Sequence, residues 1–331
     1  MPYGDLVHKV MAETHFNEKY QLDKFHELLG VNPEKKEYEE FNGKHLIIMV
    51  CSQCNINCKH CYISYKGNRT PEELINMVNL LKDKYIIELN GAEILTNLDY
   101  LKAYKIIGQR HLISNGKAIL NNPDTIDKLK ENDIGTVALS YHFGIQDNLS
   151  PVTEEELNEI IKTLQDNDIE VRLMTTINSR NFYRIREICE KASDIGARAV
   201  KFTNYINQGR ANQTIYDDTL TDDQKKYFFE QIEKERDRYN IDDLLIERCG
   251  TFGKNTHSNK DNFKCIAASD SVVLTPDNSI YPCVFLAKPG YEIGEYRDNK
   301  IYVQKDLQTS DEECLSDKIC NKTLIYRKER R

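Results

Sequence analysis

Four cysteines fall within eleven residues in the stretch CSQCNINCKHCYIS, which begins at Cys51. The last three, Cys54, Cys58 and Cys61, have the spacing C-x3-C-x2-C. Thiolates are ligands that zinc and iron–sulfur clusters prefer in proteins. The stretch directly follows an apolar run, HLIIMV, which predicts a strand buried in a parallel sheet. Active sites of parallel α/β proteins assemble at the carboxyl ends of such strands, so these thiols indicate a metal-dependent site there.

Three kinds of metal site are compatible with this stretch. A structural zinc site would use all four thiols, and a ferredoxin-type cluster also takes four protein thiolates. The third is a [4Fe-4S] cluster held by Cys54, Cys58 and Cys61 alone, in which one iron has no protein ligand. The amino acid part of S-adenosylmethionine (SAM) can chelate that iron. One electron from the reduced cluster can then cleave a carbon–sulfur bond and leave a 5′-deoxyadenosyl radical.

The sequence CNINCKHCY resembles the signature of the radical SAM superfamily, and the similarity extends over roughly residues 45–207. The resemblance implies that Cys54, Cys58 and Cys61 bind the [4Fe-4S] cluster that takes SAM, and that Tyr62 lies beside this cofactor. Cys51 is then extra, and we interpret it as a small residue near the end of the strand.

Later strand ends resemble the same superfamily. The stretch NGAEIL is similar to a Gly-Gly-Glu-Pro-like motif, with Ala92 in place of the second glycine and Ile94 in place of the proline. Glu93 is kept, and its carboxylate suits the ammonium group of SAM. The resemblance implies a row of SAM-binding residues at successive strand ends: Gly91, Ala92, Glu93, Ser114, Asn115 and Ser140.

A second group of thiols follows the predicted barrel. On thiols alone, this irregular region suggests either a zinc site or another iron–sulfur cluster. The stretches CIAASDSVVLTPDNSIYPC and NYINQGRA resemble radical SAM enzymes with C-terminal SPASM or twitch extensions, which carry auxiliary clusters. The resemblance implies one auxiliary [4Fe-4S] cluster with four ligands: Cys265, Cys283, Cys314 and Cys320.

Cys249 is left over from this set, and three roles stay open for it. It is a structural thiol, an alternative fourth ligand, or a functional thiol in the cavity. A radical epimerase returns a hydrogen atom to its substrate, and a cysteine S–H is a suitable donor. Cys189 lies within an amphipathic helical pattern, and we expect it to be part of the core.

The elements that position these residues alternate between strand and helix. Six strand-like runs begin at His45, and capped helical patterns separate them, which predicts a parallel sheet with right-handed crossovers. We therefore expect an α/β fold, a partial (β/α)6 TIM-like barrel with a C-terminal cysteine-rich twitch/SPASM-like extension. Helix caps are predicted at Thr70, Thr153 and Thr221, a two-residue turn at Asn42-Gly43, and a hairpin around residues 276–278.

The predicted organisation has three parts. Residues 1–36 form an N-terminal accessory helical segment, and residues 37–210 form the radical SAM core barrel. Residues 211–331 supply a linker helix and the auxiliary-cluster domain. Only about 40 residues precede the barrel, fewer than the leader-binding module of some 80 residues that many peptide-modifying relatives carry.

Composition narrows the class of protein. The 331 residues carry a formal net charge of −8, which argues against nucleic acid as a partner. No stretch approaches the roughly 20 apolar residues that cross a bilayer. The first residues, MPYGDLVHKVMAETH, lack the apolar region of a signal peptide. We therefore expect a cytoplasmic protein with reduced thiols and no membrane partner.

We expect an enzyme of the radical SAM type, an oxidoreductase or an epimerase, whose 5′-deoxyadenosyl radical abstracts a hydrogen atom from the substrate. The resemblance implies a ribosomally synthesised peptide as substrate, with crosslink formation or epimerisation as the modification. It also implies a one-electron reductant such as flavodoxin or ferredoxin. Two alternatives stay open: a radical SAM dehydrogenase or epimerase that acts on a small molecule, and a non-catalytic iron–sulfur protein.

Overall fold

The computed structural model describes residues 18–34, 37–213, 218–252, 265–308 and 314–321. The α-helices in these ranges are α1 (18–29), α2 (Pro71–Leu81), α3 (Leu101–Ile106), α4 (Lys117–Asn121), α5 (Asp124–Glu131), α6 (Gln146–Leu149), α7 (Glu154–Gln165), α8 (Ile185–Asp194) and α9 (Asp222–Arg238). The β-strands are β1 (Tyr38–Glu40), β2 (His45–Met49), β3 (Ile86–Asn90), β4 (His111–Ser114), β5 (Thr136–Ser140), β6 (Glu170–Ile177), β7 (Ala199–Asn204), β8 (Leu245–Arg248), β9 (Ser271–Leu274), β10 (Ser279–Tyr281), β11 (Gly294–Arg297) and β12 (Lys300–Gln304). Most of the predicted N-terminal segment, residues 1–17 with 35 and 36, lies outside the described residues.

The strands form two sheets. One has the order β4-β5-β6-β7-β8 and is parallel throughout, and the other has the order β1-β12-β11-β10-β9-β2-β3. The six predicted barrel strands are present as β2 to β7, and helices follow them along the chain. Within β2, Leu46 and Ile48 are fully buried. The predicted α/β fold class, with parallel strands joined by helices, is confirmed.

The two sheets meet at β3 and β4, where a side chain takes the place of strand pairing. The Leu89 N–H donates to Gln109 Oε1 at 2.7 Å, and Gln109 Nε2 donates to the Leu89 carbonyl at 3.1 Å. Gln109 Nε2 also donates to the His111 carbonyl at 3.1 Å. Backbone polar groups away from water need hydrogen-bond partners. The Gln109 amide supplies them at the edges of β3 and β4 and so connects the two sheets.

Local capping signals fix the predicted helix starts. Thr70, Thr153 and Thr221 each cap a helix, α2, α7 and α9 respectively, through a reciprocal capping box. In the first of these, the Thr70 hydroxyl accepts from the Glu73 N–H, and the Glu73 carboxylate accepts from the Thr70 N–H. Each such cap satisfies N–H groups that the first turn of a helix leaves unpaired. The three predicted caps are confirmed.

The predicted turn at Asn42-Gly43 is wrong. β1 pairs with β12, and β2 pairs with β3 and β9, so the runs on either side of Gly43 do not pair with each other. The His45 N–H instead donates to the Asp270 carbonyl at 2.9 Å. A Cβ on Gly43 would lie 2.2 Å from the Phe41 ring, so close packing and not hairpin geometry requires glycine here.

The C-terminal extension continues the barrel sheets at two places. The predicted hairpin is confirmed as β9 and β10, with Leu274 opposite Ile280. β9 also pairs parallel with β2, so this hairpin extends the sheet that carries the first thiol group. β8, which the sequence pattern does not predict, pairs parallel with β7. Across the described ranges, no helix has the length and apolar character needed to cross a membrane.

Candidate functional site

The loop between β2 and α2 carries the three predicted cluster thiols at the carboxyl end of β2. Its base is closed, because the Ser52 N–H donates to the Gly67 carbonyl at 2.9 Å and Cys51 forms an antiparallel bridge with Asn68. The Asn68 Oδ1 also accepts from the Gln53 N–H at 3.1 Å. The closed base leaves the thiol-bearing part of the loop to reach the ends of neighbouring strands.

The three thiols of this loop are close enough to influence one another's pKa. Cys54, Cys58 and Cys61 are free and half-buried. The pKa of the Cys58 thiol is raised to about 11, mainly by burial and then by Cys61 and Cys54. Burial is also the main cause that raises the pKa of Cys54, and Glu93 and Cys61 add to it. A bound cationic metal centre would stabilise the thiolates that these surroundings disfavour.

The donor set fits an iron–sulfur cluster with three protein ligands. No three histidine, cysteine, aspartate or glutamate side chains in the described parts of the chain converge on a point that one metal ion would occupy. In a [4Fe-4S] cluster each thiolate binds a different iron, so its ligands surround the cluster without meeting at a point. All ten cysteines of the chain are free thiols, which leaves the loop thiols open to ligation.

Cys51 packs against the segment that directly follows β3. It is 1% exposed, and its Sγ donates to the Glu93 carbonyl at 3.6 Å. Its own carbonyl accepts from the Ala92 N–H at 2.9 Å. A Cβ on Gly91 would lie 3.0 Å from the Cys51 sulfur, so the absence of a side chain at Gly91 makes room for this contact. These contacts agree with the predicted role of Cys51 as a small residue near the strand end.

The predicted SAM-binding residues of β3 and β4 meet at the carboxylate of Glu93, which is 1% exposed. Its Oε1 accepts from the Leu95 N–H at 3.1 Å and from the Ser114 hydroxyl at 2.9 Å. Its Oε2 accepts from the Asn115 N–H at 2.7 Å. Burial raises the pKa of Glu93, and these hydrogen bonds oppose that shift. A carboxylate has about four lone-pair sites, so the three donors leave about one for a ligand.

Asn115 joins this group to the thiol loop. Its Nδ2 donates to Asn55 Oδ1 at 2.8 Å and lies 3.7 Å from the Cys54 sulfur, within hydrogen-bond distance for sulfur. Ser140 ends the neighbouring strand β5, where it is half-buried and pairs in register with Met174. The structure therefore brings the Glu93 group against the thiols, whereas no described contact connects Ser140 to them.

Tyr62 lies between the first and second thiol groups. Its ring packs on Phe285 with centroids 4.7 Å apart. Burial raises the pKa of the Tyr62 hydroxyl, and Cys61, Cys283 and Cys249 raise it further. A residue next to the first thiol loop therefore contacts the C-terminal extension.

The second thiol group assembles around Cys283. Burial raises the pKa of Cys283 well above its ordinary value, and Cys314, Cys265 and Cys249 all contribute. Cys265 also helps to raise the pKa of Cys314, which burial raises to about 12. Three of the four predicted auxiliary ligands are therefore close together, and Cys249 joins them.

Cys320, the fourth predicted auxiliary ligand, has different neighbours. It is fully buried in a π-helical turn, Asp317–Asn321, and its sulfur donates to Gln208 Oε1 at 3.6 Å. Burial raises its pKa to about 11, and the charged groups that contribute are Lys288 and Asp317. No thiol is among the groups that shift it, which distinguishes Cys320 from the other three.

The sequence motifs do not mark two histidines at this site, His60 within the thiol loop and His142 beside it. The rings of His60 and His142 pack edge to face with centroids 4.5 Å apart. His142 is 1% exposed, and its Nδ1 accepts from the Thr176 N–H at 3.2 Å. Its Nε2 therefore carries the proton, and this atom has no hydrogen-bond partner among the described residues. No sequence signal marks His142, which ends the predicted strand run GTVALSYH and lies just after β5 in the structure.

Sequence reasoning also gave no role to the segment after β7. Gln208 Nε2 donates to the Tyr62 carbonyl at 3.3 Å, and the Arg210 N–H donates to the Cys61 carbonyl at 2.9 Å. The stretch NYINQGRA resembles SPASM and twitch enzymes, but its spacing alone does not reveal contacts to a loop some 150 residues earlier.

The fold is a partial (β/α)6 TIM-like barrel with a C-terminal cysteine-rich extension, and the thiol loop lies at the carboxyl end of its first strand. No protein-family model matches the chain. In structure it is similar to Streptococcus suis SuiB bound to the precursor peptide SuiA, with a TM-score of 0.61 and 14% identity, over 78% of this chain and 63% of SuiB. It is also similar to anSMEcpe with bound AdoMet, with a TM-score of 0.56 and 18% identity, over 77% of this chain and 78% of that one.

Two curated proteins are similar to the chain in sequence. The Bacillus subtilis protein AlbA, described as an antilisterial bacteriocin subtilosin biosynthesis protein, is 23% identical over 263 residues, which are 74% of this chain and 55% of AlbA. Uncharacterized protein MJ0907 of Methanocaldococcus jannaschii is 23% identical over 177 residues, 48% of this chain and 62% of that protein. The chain thus spans somewhat over half the length of these relatives. These matches confirm the fold and the resemblance to radical SAM enzymes predicted from the sequence.

Proposed function

We propose that the chain binds a [4Fe-4S] cluster through Cys54, Cys58 and Cys61, together with SAM at the adjoining strand ends. The observation that carries this proposal is the link between the two halves of the site, in which Asn115 touches both the Cys54 sulfur and the carboxylate of Glu93. When bound, the reduced cluster and SAM supply a 5′-deoxyadenosyl radical that abstracts a hydrogen atom from the substrate.

Glu93 and its partners hold the amino acid part of SAM in this proposal. The free lone pair on the Glu93 carboxylate accepts from the ammonium group, and such charge-assisted hydrogen bonds are stronger than neutral ones. Ser114 and the Asn115 N–H fix the carboxylate, so little ordering remains to be done on binding. Gly91, Ala92, Tyr62 and Ser140 complete the proposed SAM-binding set.

We infer that the chain has three parts: an accessory segment (1–36), the core barrel (37–210), and a linker helix with the auxiliary domain (211–331). In the auxiliary domain, Cys265, Cys283 and Cys314 hold one auxiliary cluster. For the fourth ligand we propose Cys249, which is among the groups that act on the Cys283 thiol, whereas no thiol is among those that act on Cys320. Cys320, the ligand implied by the resemblance, and a hydrogen-donor role for Cys249 are the alternatives that single cysteine variants test.

A ribosomally synthesised peptide is the proposed substrate, with crosslink formation or epimerisation as the modification. The support is the subtilosin biosynthesis protein AlbA, SuiB bound to its precursor peptide, and anSMEcpe bound to AdoMet and the Cp18Cys peptide. A one-electron reductant such as flavodoxin or ferredoxin completes the system. The ten free thiols suit a cytoplasmic location, with no nucleic acid or membrane as partner.

The experiment that tests this function is anaerobic reconstitution followed by SAM and dithionite. We expect release of 5′-deoxyadenosine from the intact chain and its loss in Cys58→Ala. Cys189→Ala is the matched control, because Cys189 is a fully buried thiol of α8 outside the site and should retain the activity. About eight irons per chain without deoxyadenosine would instead support a non-catalytic protein with two [4Fe-4S] clusters.

A further inference from the structure

The segment Gln208–Arg210, which we call the 208–210 clamp, grips the backbone of the thiol loop. The Arg210 N–H donates to the Cys61 carbonyl at 2.9 Å, and its Nε donates to the Cys58 carbonyl at 2.8 Å. Gln208 Nε2 adds a hydrogen bond to the Tyr62 carbonyl at 3.3 Å. Two predicted cluster ligands and the residue after them are therefore held from the end of β7.

Gly209 lets the clamp approach this closely. Its φ is +61°, in the left-handed region that residues with a Cβ rarely adopt. A Cβ there would lie 2.6 Å from the Cys61 carbonyl oxygen and 2.9 Å from that of Tyr62. Glycine therefore brings the backbone of the clamp into direct contact with the loop and places the next residue, Arg210, against the thiols.

The side chain of Arg210 brings a positive charge to this place. Arginine stays protonated in proteins, so this charge does not depend on pH. The hydrogen bond from Nε to the Cys58 carbonyl fixes the guanidinium beside the thiol loop.

A cluster bound by three thiolates is anionic, and reduction adds one more negative charge. Net charge and the hydrogen bonds around a cluster are among the features that set its reduction potential. A positive charge held beside it stabilises the reduced state more than the oxidised state, because Coulomb attraction grows with the charge.

We propose that Arg210 is a positioning residue that raises the reduction potential of the cluster held by the first thiol loop, with Gly209 and Gln208 setting its place. This inference rests on the proposed function, since it requires the cluster to bind there. In this inference the segment after β7 makes the cluster easier to reduce. SAM cleavage depends on that reduction.

The test is a redox titration of the anaerobically reconstituted full chain, followed by electron paramagnetic resonance. The cluster of interest is identified as the signal that changes when SAM is added. We expect Arg210→Gln to shift its midpoint potential to more negative values, and Arg210→Lys, which keeps the charge, to shift it less. Arg186→Gln is the matched control, because Arg186 is an exposed arginine of α8 that pairs with Glu190.

The outcomes separate this inference from the function on which it rests. An Arg210→Gln protein with full iron content and the wild-type potential would overturn the role of Arg210 and leave the proposed function standing. Equal shifts in the Gln and Lys variants would overturn the assignment to charge. A wild-type chain with no SAM-sensitive cluster signal would overturn both proposals together. A Gln variant that folds without loading the cluster, beside a Lys variant that loads it, would support the role of the charge.

Discussion

Replacing Glu93 by glutamine tests the centre of the proposed SAM site. The carboxylate accepts three internal hydrogen bonds, from Leu95, Ser114 and Asn115. A glutamine amide keeps only one oxygen that can accept these hydrogen bonds. In place of the second carboxylate oxygen it has an NH₂ group, which would face a donor. One buried donor then loses its partner, which costs about 1–3 kcal/mol of folding stability.

The same change removes the negative charge that the ammonium group of SAM would meet. Hydrogen bonds to charged groups contribute about 1.5–3 kcal/mol. Each 1.4 kcal/mol corresponds to tenfold in affinity, so we expect SAM to bind roughly 10- to 150-fold more weakly. The reconstituted cluster itself should remain, because Glu93 is not among its proposed ligands.

The assay is equilibrium binding of SAM to reconstituted protein, with iron content measured in parallel. Glu73→Gln is the matched control, since Glu73 is the exposed member of the α2 capping box, where glutamine serves as well. A Glu93→Gln variant that binds SAM with wild-type affinity would refute the ammonium contact. Wild-type thermal stability in that variant would refute the hydrogen-bond argument.

Three further predictions address other parts of the structure. Cys249→Ala should lower the iron content by about half, as expected for loss of one of two clusters, whereas Cys320→Ala should retain it; the reverse result would restore Cys320 as the ligand. His142→Gln should reduce the acid sensitivity of the metal-free protein in urea unfolding. Burial holds the pKa of His142 well below its ordinary 6.5, so stability is complete above pH 6.5 and falls below it. Each proton involved contributes up to about 1.4 kcal/mol per pH unit, and an unchanged pH slope would contradict this. Lys225→Met should destabilise the chain by about 1.5–3 kcal/mol in denaturant unfolding, because it removes the charge-assisted hydrogen bond from Lys225 Nζ to the Asp317 carboxylate, which is 2.7 Å long; an unchanged free energy of unfolding would contradict this argument.

Much of the fold follows from local signals in the sequence. The capping boxes at Thr70, Thr153 and Thr221 predict helix starts because the partners of each box lie three residues apart. The six barrel strands are predicted because short apolar runs alternate with helical patterns along the chain. β8 is missed because its short sequence, LIER, lies beyond that alternating pattern and forms a strand by pairing with β7.

Pairings between distant segments are what the sequence does not reveal. Asn42-Gly43 has the local preference of a hairpin turn, yet β1 pairs with β12, more than 250 residues later. Gln109 has no strand or helix signature, although its amide joins the two sheets at β3 and β4. These contacts depend on which distant segments meet in the folded chain. Sequence patterns over a few neighbouring residues do not reveal that.

The candidate site shows the same division. The thiols Cys54, Cys58 and Cys61 are predicted because all of them belong to one short loop. The contact of Arg210 with that loop, and the position of Cys249 beside Cys283, arise only when β7 and β8 bring distant residues together. Local motifs therefore predict the candidate ligands, and only tertiary contacts reveal the residues that surround them.

The position of Cys249 also bears on which modification the proposed enzyme would make. An epimerase returns a hydrogen atom to its substrate, and a cysteine bound to iron as a thiolate has no S–H hydrogen to give. The thiols that this assignment leaves unligated, Cys51, Cys189 and Cys320, are fully buried, at 1%, 0% and 0% exposure, so none of them replaces Cys249 as a donor. If Cys249 is the fourth auxiliary ligand, crosslink formation is the favoured modification. The product formed in D₂O would then contain no deuterium on carbon, and solvent-derived deuterium at an inverted centre would instead assign the donor role to Cys249.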